Sequence, residues 1–209
     1  NVSNNYYGIY PEQHCNGNTI ANNTAWNGNN CIFLAYSSNN NIITNNTGLF
    51  NLWGGITISY SSNNNIITNN NVSWCNAGGG IGVAWSCDGN IITGNTAIHN
   101  HGGIGLAHSY HTYIANNNVN SNYYGISLDT ANNNTITNNA ASYNYQGIDL
   151  EYCNDNTIAK DLIMEIGPHS VEKYLSSEIM AWAAAFGLGN VVKSATYLYT
   201  CTPLVKSTA

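Results

Sequence analysis

The chain has 209 residues, of which only 7% are charged, and its formal net charge is -6 at pH 7. It contains no arginine, and its four lysines all lie in the last quarter of the sequence: Lys160, Lys173, Lys193 and Lys206. This composition excludes the cationic surface that binds nucleic-acid phosphates. No apolar run reaches the length of about 18 residues that a membrane-spanning helix requires.

A unit of 22 to 25 residues repeats from residue 1 to about residue 159. Each copy has one isoleucine that usually follows glycine, and a second isoleucine about ten residues later, among asparagines. The first isoleucine falls at Ile9, Ile32, Ile56, Ile81, Ile104, Ile126 and Ile148. The second falls at Ile20, Ile43, Ile67, Ile92, Ile114, Ile136 and Ile158. Repetition at this period is typical of solenoids, in which each unit buries its apolar face against its neighbours.

The spacing inside each unit is that of β-strands. Ile126 and Leu128, for example, lie two residues apart and point the same way from a pleated backbone. Three short strands fit into a unit: one at each isoleucine, and one at a small apolar residue five positions after the second. Three-strand coils of variable length are typical of the right-handed parallel β-helix, whereas strict hexapeptide multiples indicate the left-handed form. The sequence therefore predicts an all-β, right-handed parallel β-helix of about seven coils.

Two asparagine columns recur along the predicted coils. One follows the second isoleucine by three positions and ends in aspartate: Asn23, Asn46, Asn70, Asn95, Asn117, Asn139 and Asp161. The other precedes the first isoleucine: Asn5, Asn27, Asn51, Asn76, Asn100, Asn122 and Asn144. Asparagine tolerates left-handed corners, and its amide bonds to the copies above and below, so we interpret both columns as structural ladders.

The motifs Gly-Ile-x-Leu, as at residues 125–128, and Asn-Thr-Ile-x-Asn-Asn, as at residues 134–139, resemble the parallel β-helix repeats of NosD-like and pectate-lyase-like proteins. Such repeats are common in archaeal cell-surface proteins. The resemblance covers about three quarters of the chain. It implies the fold and leaves the activity open, because this group includes lyases, hydrolases, epimerases, binding modules and structural proteins.

The repeats predict one domain over residues 1–159 and a C-terminal cap over residues 160–209. In the cap, Ser170 is placed to begin an amphipathic helix that ends near Gly187, and residues 195–201 have the pattern of a strand. Such a cap shields the last coil from pairing with foreign strands. The chain begins inside a coil, without methionine or a signal peptide, so we expect a processed or truncated product.

Aromatic residues collect at two corners of the predicted coils. Four positions after the first isoleucine stand Tyr36, Tyr60, Trp85, His108, Thr130 and Tyr152, which we interpret as a stack that closes a turn, with a binding site as the alternative. At another corner Trp53 offers a ring to a sugar, and the alternative is that it covers the corner. A glycan-binding function would use Trp53 together with Tyr152.

The outward positions beside the second isoleucine carry β-branched or aromatic side chains. In four successive coils they include Ile42, Thr44, Ile66, Thr68, Ile91, Thr93 and Tyr113. An exposed face of this kind indicates a protein contact, so we predict that these residues form an assembly face for copies of the same chain. Ice binding through the threonines is a weaker alternative, because a complete Thr-x-Thr occurs in one coil, at Thr135 and Thr137.

The strongest enzymatic constellation is Asp129, Asp149 and Glu151. Asp129 and Glu151 both follow the first isoleucine by three positions in adjacent coils, so their carboxylates are predicted to lie about 5 Å apart on the outer face. Such a pair suits a retaining glycosidase or, with Asp149, a calcium ion. The alternative is a solvated acidic edge. No lysine or arginine accompanies the cluster to bind an anionic sugar.

The remaining metal-binding residue types do not predict a metal cluster. His99, His101, His108 and His111 are close in sequence, but the coil geometry places a corner between His108 and the first two. Cys15, Cys87 and Cys153 share one column, too far apart to pair, and we interpret them as buried thiols at a corner. Cys31, Cys75 and Cys201 leave a disulfide open.

We therefore expect a non-catalytic extracellular or cell-surface structural protein that self-associates into a filament, sheath or surface layer. Its expected partners are copies of itself, with cell-surface polysaccharide as a further candidate. The alternative is a carbohydrate-active enzyme, a hydrolase or lyase, or a glycan-binding module. No cofactor is expected except calcium at the three carboxylates.

Overall fold

The computed structural model describes residues 1–163 and the two-residue strand Tyr199–Thr200. The predicted helix after Ser170 lies outside the described residues. In chain order the strands are β1 Val2–Ser3, β2 Tyr7–Ile9, β3 Thr19–Ala21, β4 Thr24–Trp26, β5 Asn30–Leu34, β6 Ile42–Thr44, β7 Thr47–Leu49, β8 Gly54–Ser59, β9 Ile66–Thr68, β10 Asn71–Ser73, β11 Gly79–Ala84, β12 Ile91–Thr93, β13 Thr96–Ile98, β14 Gly102–Ala107, β15 Tyr113–Ala115, β16 Tyr124–Asp129, β17 Thr135–Thr137, β18 Gln146–Glu151, β19 Thr157–Ala159 and β20 Tyr199–Thr200.

These strands form three parallel sheets that wind along one axis, as the repeat predicts. Strands β2, β5, β8, β11, β14, β16 and β18 form the first sheet. Strands β3, β6, β9, β12, β15, β17 and β19 form the second, and β20 pairs antiparallel with β19 at its end. Strands β1, β4, β7, β10 and β13 form the third, which isolated bridges extend through Asn118, Ala140 and Leu162. Each coil thus contributes one strand or bridge to each sheet.

The isoleucines of the repeat form the core. Ile92 pairs in register with Ile67 on one side and Ile114 on the other, and all three are fully buried. The first-sheet isoleucines stack in the same way, as do the small apolar residues of the third sheet. Since every coil repeats the same inward positions, the core is a continuous column along the rod.

The glycine before the first isoleucine is required by close packing inside the coil. A Cβ placed on Gly80 would lie only 2.8 Å from the Cβ of Ala97 and 2.8 Å from Nδ2 of Asn100. At Gly103 the same clash would occur with Val119 and with the ladder amide of Asn122. In these coils the first sheet therefore approaches the third too closely for a side chain at this position, whereas in the coil of Cys31 the third sheet carries Gly48 opposite and leaves room for the thiol.

The asparagine column after the second isoleucine is a buried ladder. Oδ1 of Asn95 accepts hydrogen bonds from the backbone N–H and the side-chain amide of Asn70, at 2.9 and 3.0 Å. Nδ2 of Asn95 donates to the carbonyl of Ile67 at 2.9 Å and to Oδ1 of Asn117 at 3.0 Å. The pattern repeats from Asn46 to Asp161. These amides satisfy the backbone groups that a buried corner would otherwise leave unpaired.

The second asparagine column is partly wrong as predicted. Asn51, Asn100, Asn122 and Asn144 are buried ladder members, but Asn5 is exposed, and so are Asn27 and Asn76. Their neighbours take the ladder position: the N–H of Gly28 donates to Oδ1 of Asn51, and the N–H of Cys75 donates to Oδ1 of Asn100. The shift is one residue and occurs where the corner before the first sheet changes length.

A third buried ladder, absent from the sequence prediction, lies two residues before the second isoleucine. The N–H of Asn41 donates to Oδ1 of Asn65, and the N–H of Asn65 donates to Oδ1 of Asn90, both at 2.8 Å. Thr112 replaces asparagine in one coil, and its N–H donates to Oδ1 of Asn134. This ladder closes the corner at which each coil enters the second sheet.

Asp161 occupies the last described position of the first ladder, and its ionisation is expected to destabilise the fold. Oδ1 accepts from the N–H and the amide of Asn139, whereas the buried Oδ2 has no hydrogen-bond partner among the described residues. Burial raises the pKa of this carboxyl above its ordinary value of 3.8, although the bonds from Asn139 oppose the shift. A raised folded-state pKa means that stability is lost as the pH rises through it.

We expect Asp161→Asn to raise the melting temperature at neutral pH, because the amide restores the ladder donor and removes a buried charge. The gain should shrink in acid below the ordinary pKa, where the parental carboxyl is protonated in both the folded and the unfolded states. Thermal melts followed by circular dichroism at the two pH values test this. An unchanged melting temperature at neutral pH would contradict it.

Candidate functional site

The outer face of the second sheet is flat and uncharged over its described length. Ile42, Ile66, Ile91 and Tyr113 are register partners on β6, β9, β12 and β15. Of these, Ile42 is 38% exposed, Ile91 37% and Tyr113 42%. The neighbouring outward column contains the half-buried Thr44, Thr68 and Thr93, also in register. The structure thus brings the seven residues of the predicted assembly face together on one surface.

This surface has the composition of a contact rather than of a chemical site. Its two outward columns contain only threonine, isoleucine, tyrosine and alanine from Thr19 to Ala159. None of these side chains ionises at neutral pH, and none is a strong metal ligand. Backbone hydrogen bonds hold each strand to its neighbours, so the surface is rigid and repeats at the strand spacing of about 4.8 Å.

The three carboxylates lie together at one end of the first sheet, as the coil spacing predicts. Asp129 and Glu151 are register partners on β16 and β18, and Asp149 is the partner of Ser127. Asp129 and Glu151 are exposed, and Oδ1 of Asp129 accepts a hydrogen bond from Thr130 at 2.8 Å. Neither of the two cavities described on this rod is lined by these residues. The arrangement is an open acidic edge on a sheet surface.

The structure does not bring Trp53 and Tyr152 together. Trp53 lies just before the first residue of β8, whereas Tyr152 lies just after the last residue of β18. The two residues are therefore at opposite ends of the strands, and three other strands of the first sheet lie between β8 and β18. Both are well exposed, at 60% and 77%. Trp53 lines a small cleft of about 330 Å³ with Tyr6, Tyr7, Phe33 and other residues. A single sugar ring cannot contact both Trp53 and Tyr152.

The aromatic column four positions after the first isoleucine forms two separate ring stacks. Tyr36 and Tyr60 stack with centroids 4.7 Å apart and planes within 2°, and Trp85 stacks on His108 at 5.5 Å. Their backbones are left-handed, with φ between 47 and 66°. This column, which the sequence predicted chiefly to close a turn, lines a cleft of about 630 Å³.

The clustered histidines pack in ring stacks. His99 stacks on Trp74 at 4.4 Å, His101 stacks on Tyr123 at 5.5 Å, and His108 stacks on Trp85. Within residues 1–163, no group of three or more His, Cys, Asp or Glu side chains is arranged to hold a metal ion. Asp129, Asp149 and Glu151, considered above for calcium, do not form such a group.

Cys15, Cys31, Cys75 and Cys87 are free thiols. Of the three cysteines predicted to be buried at one corner, Cys87 is buried, whereas Cys15 and Cys153 are half-buried. Burial raises the pKa of Cys31 to about 12 and those of Cys75 and Cys87 to about 11. Sγ of Cys87 lies 3.0 Å from the carbonyl of Ala84, just as Oγ of Ser62 donates to the carbonyl of Ser59 in the coil before. These buried cysteines are therefore small structural side chains with little thiolate at neutral pH. Cys201 lies outside the described residues.

Comparison with known proteins agrees with this geometry. Residues 74–173 match the family model described as periplasmic copper-binding protein (NosD), and residues 1–97 match the model described as right handed beta helix region. The chain is also similar to the A-module of the mannuronan C-5 epimerase AlgE6 from Azotobacter vinelandii, with a TM-score of 0.56 and 15% identity over 78% of the chain. It spans 55% of that module's length. No curated protein matches the chain.

The chain is therefore a right-handed parallel β-helix repeat protein. The likeness to the epimerase module, at 15% identity, concerns the fold alone. Copper binding belongs to the description of the matched NosD family, and within residues 1–163 no group of three or more His, Cys, Asp or Glu side chains could hold a metal ion. The described residues also include no helix long and apolar enough to cross a membrane.

Proposed function

We propose that this protein is a non-catalytic structural β-helix that associates with copies of itself through the outer face of its second sheet. The observation that carries the proposal is the uncharged surface of Ile42, Ile66, Ile91 and Tyr113, each paired in register with the next. A contiguous row of partly exposed apolar side chains is typical of interaction sites.

A second copy is the occupant that this surface fits best. Its residues repeat at one spacing along a straight rod, so the same surface of another copy presents side chains at the same interval. Contact between two such surfaces buries isoleucine and tyrosine and leaves no charge unpaired, because both outward columns are uncharged. A charged partner would gain no ion pair here.

A location outside the cytoplasm supports a structural role. The matched family is described as periplasmic, and the low charge and asparagine-rich ladders suit a rigid polar rod at a cell surface. We assign the protein to a filament, sheath or surface layer, in which cell-surface polysaccharide is a further partner.

The enzymatic alternative has weaker support in the geometry. Asp129 and Glu151 are adjacent, but both are exposed on an open sheet surface, and no described cavity encloses them. Catalytic carboxylates depend on burial and on neighbouring charges to separate their roles. The three residues are therefore better explained as an acidic edge of the rod.

We expect the double variant Ile42→Lys with Ile66→Lys to shift the protein from assemblies towards monomers, because two cations on each face repel and must be desolvated on contact. Particle mass from light scattering and electron microscopy tests this at several concentrations. The matched control is Leu52→Lys with Tyr143→Lys, which adds the same charge at residues that are 51% and 50% exposed, away from the second sheet. A parent that stays monomeric at every concentration would refute the proposal, as would equal loss of assembly in the control.

A further inference from the structure

A cleft runs along the corner that joins the first sheet to the second. It has a volume of about 630 Å³ and extends over five successive coils. Its lining alternates rings with small polar groups and includes no Asp, Glu, Lys or Arg: Gln13, His14, Tyr36, Ser37, Tyr60, Ser61, Trp85, Ser86, His108 and Tyr110. The proposed assembly face does not contribute to it, so the two surfaces are chemically and spatially separate.

The backbone of this corner is held rigidly by hydrogen bonds between coils. The N–H of Ser37 donates to the carbonyl of Tyr60 at 2.9 Å, that of Ser61 to Trp85 at 3.0 Å, and that of Ser86 to His108 at 2.8 Å. The backbone N–H groups of these serines are thus paired between coils without using the serine hydroxyls. The serines line the cleft at the regular coil spacing, about 4.8 Å.

The rings are not one continuous stack. Tyr36 stacks on Tyr60 and Trp85 stacks on His108, but no ring contact joins Tyr60 to Trp85, although they occupy adjacent coils. Tyr60 is 43% exposed and Trp85 55% exposed. The break lies in the middle of the cleft and leaves a face of each ring without an aromatic neighbour. A ligand in the middle of the cleft could therefore pack on Tyr60 and Trp85.

We propose that this cleft binds a linear neutral glycan along the axis of the rod, with Tyr60 and Trp85 as its central contacts. A sugar presents an apolar C–H face that packs on an aromatic ring, and equatorial hydroxyls that bond to serine and tyrosine hydroxyls at its edges. The lining contains no lysine or arginine to bind the carboxylate of a uronate, so a neutral sugar fits it better than an anionic one. The repeated serines suit a polymer with a repeat close to the coil spacing.

The test measures binding of cellohexaose, chitohexaose and mannohexaose, with oligogalacturonate as the anionic comparison, by isothermal titration calorimetry and tryptophan fluorescence. The variants are Tyr60→Asn and Trp85→Asn, because asparagine tolerates the left-handed backbone at φ 56 and 66°. The matched control is Trp74→Asn, another exposed corner tryptophan with φ 63° that lies outside this cleft. Circular dichroism confirms that each variant is folded.

We expect at least one neutral oligosaccharide to bind the parent and the Trp74→Asn control, and its affinity to fall about tenfold or more in each cleft variant. The assembly variant Ile42→Lys with Ile66→Lys should bind the sugar as the parent does, so a failure of self-association and a failure of glycan binding are distinguishable. The proposal is overturned if no neutral oligosaccharide binds, if oligogalacturonate binds best, or if affinity is lost equally in Trp74→Asn.

Discussion

Ile92→Asp is expected to abolish folding of the β-helix. Ile92 is fully buried between Ile67 and Ile114 in the central coils, and no lysine or arginine lies within residues 1–159 to pair with an inward carboxylate. Burying an unpaired charge costs several kcal/mol or more, which is comparable with the whole stability of a domain, roughly 5 to 15 kcal/mol. The expected result is loss of the β-sheet circular dichroism signal and of the cooperative urea transition.

The matched control is Ile91→Asp, one residue earlier on the same strand. Ile91 is 37% exposed, so the carboxylate of the introduced aspartate stays in water and the variant should fold like the parent. Because both variants carry the same substitution on β12, the comparison isolates the direction of the side chain. A folded Ile92→Asp protein or an unfolded Ile91→Asp protein would contradict the assignment of inward and outward positions.

Asn95→Ala is expected to be the second most damaging change, at about 3 kcal/mol. The substitution removes the acceptor of the Asn70 N–H and amide and the donor to the carbonyl of Ile67, all of them buried. It leaves these groups without partners in a place that water does not reach, and that desolvation penalty is larger than the net value of the lost bonds. Urea unfolding followed by circular dichroism measures the change in unfolding free energy.

Thr93→Ala provides the comparison for Asn95→Ala. Thr93 lies on the outer face of β12, two residues before Asn95, and is half-buried. Its side chain is not part of the ladder, so its loss should cost well under about 1 kcal/mol. The denaturant slope should be unchanged in both variants, because neither alters the surface exposed on unfolding. A neutral Asn95→Ala together with a costly Thr93→Ala would show that the ladder does not stabilise the rod.

Positions that depend on a fixed distance from an isoleucine were predictable from the sequence. The core isoleucines, the ladder from Asn46 to Asp161 and the register of Asp129 with Glu151 all follow from counting within the repeat. The count succeeds because parallel pairing without a shift places equal repeat positions side by side, and the inward positions must be apolar or hydrogen-bonded.

Positions near corners of variable length were not predictable in the same way. Asn27 and Asn76 were predicted as ladder residues, yet Gly28 and Cys75 take those places. At these positions the ladder asparagine of the next coil accepts a bond from the backbone N–H, which residues other than asparagine can also donate. The ladder of Asn41, Asn65 and Asn90 was not predicted, because in two of these coils two further asparagines stand directly before the ladder residue. The residue type alone does not show which of several adjacent asparagine side chains points inward.

The sequence by itself determined that this chain is a β-helix, which side chains fill its core and which residues share the uncharged face of its second sheet. It could do so because a repeat of 22 to 25 residues places equivalent positions of successive coils directly beside one another. Only the tertiary structure decided how corner side chains are placed: it separates Trp53 from Tyr152 across the first sheet and breaks the aromatic column between Tyr60 and Trp85. The reason is physical. Strand positions are set by hydrogen-bond register, whereas a ring at an exposed corner takes the orientation that local backbone angles and its neighbours in the next coil allow.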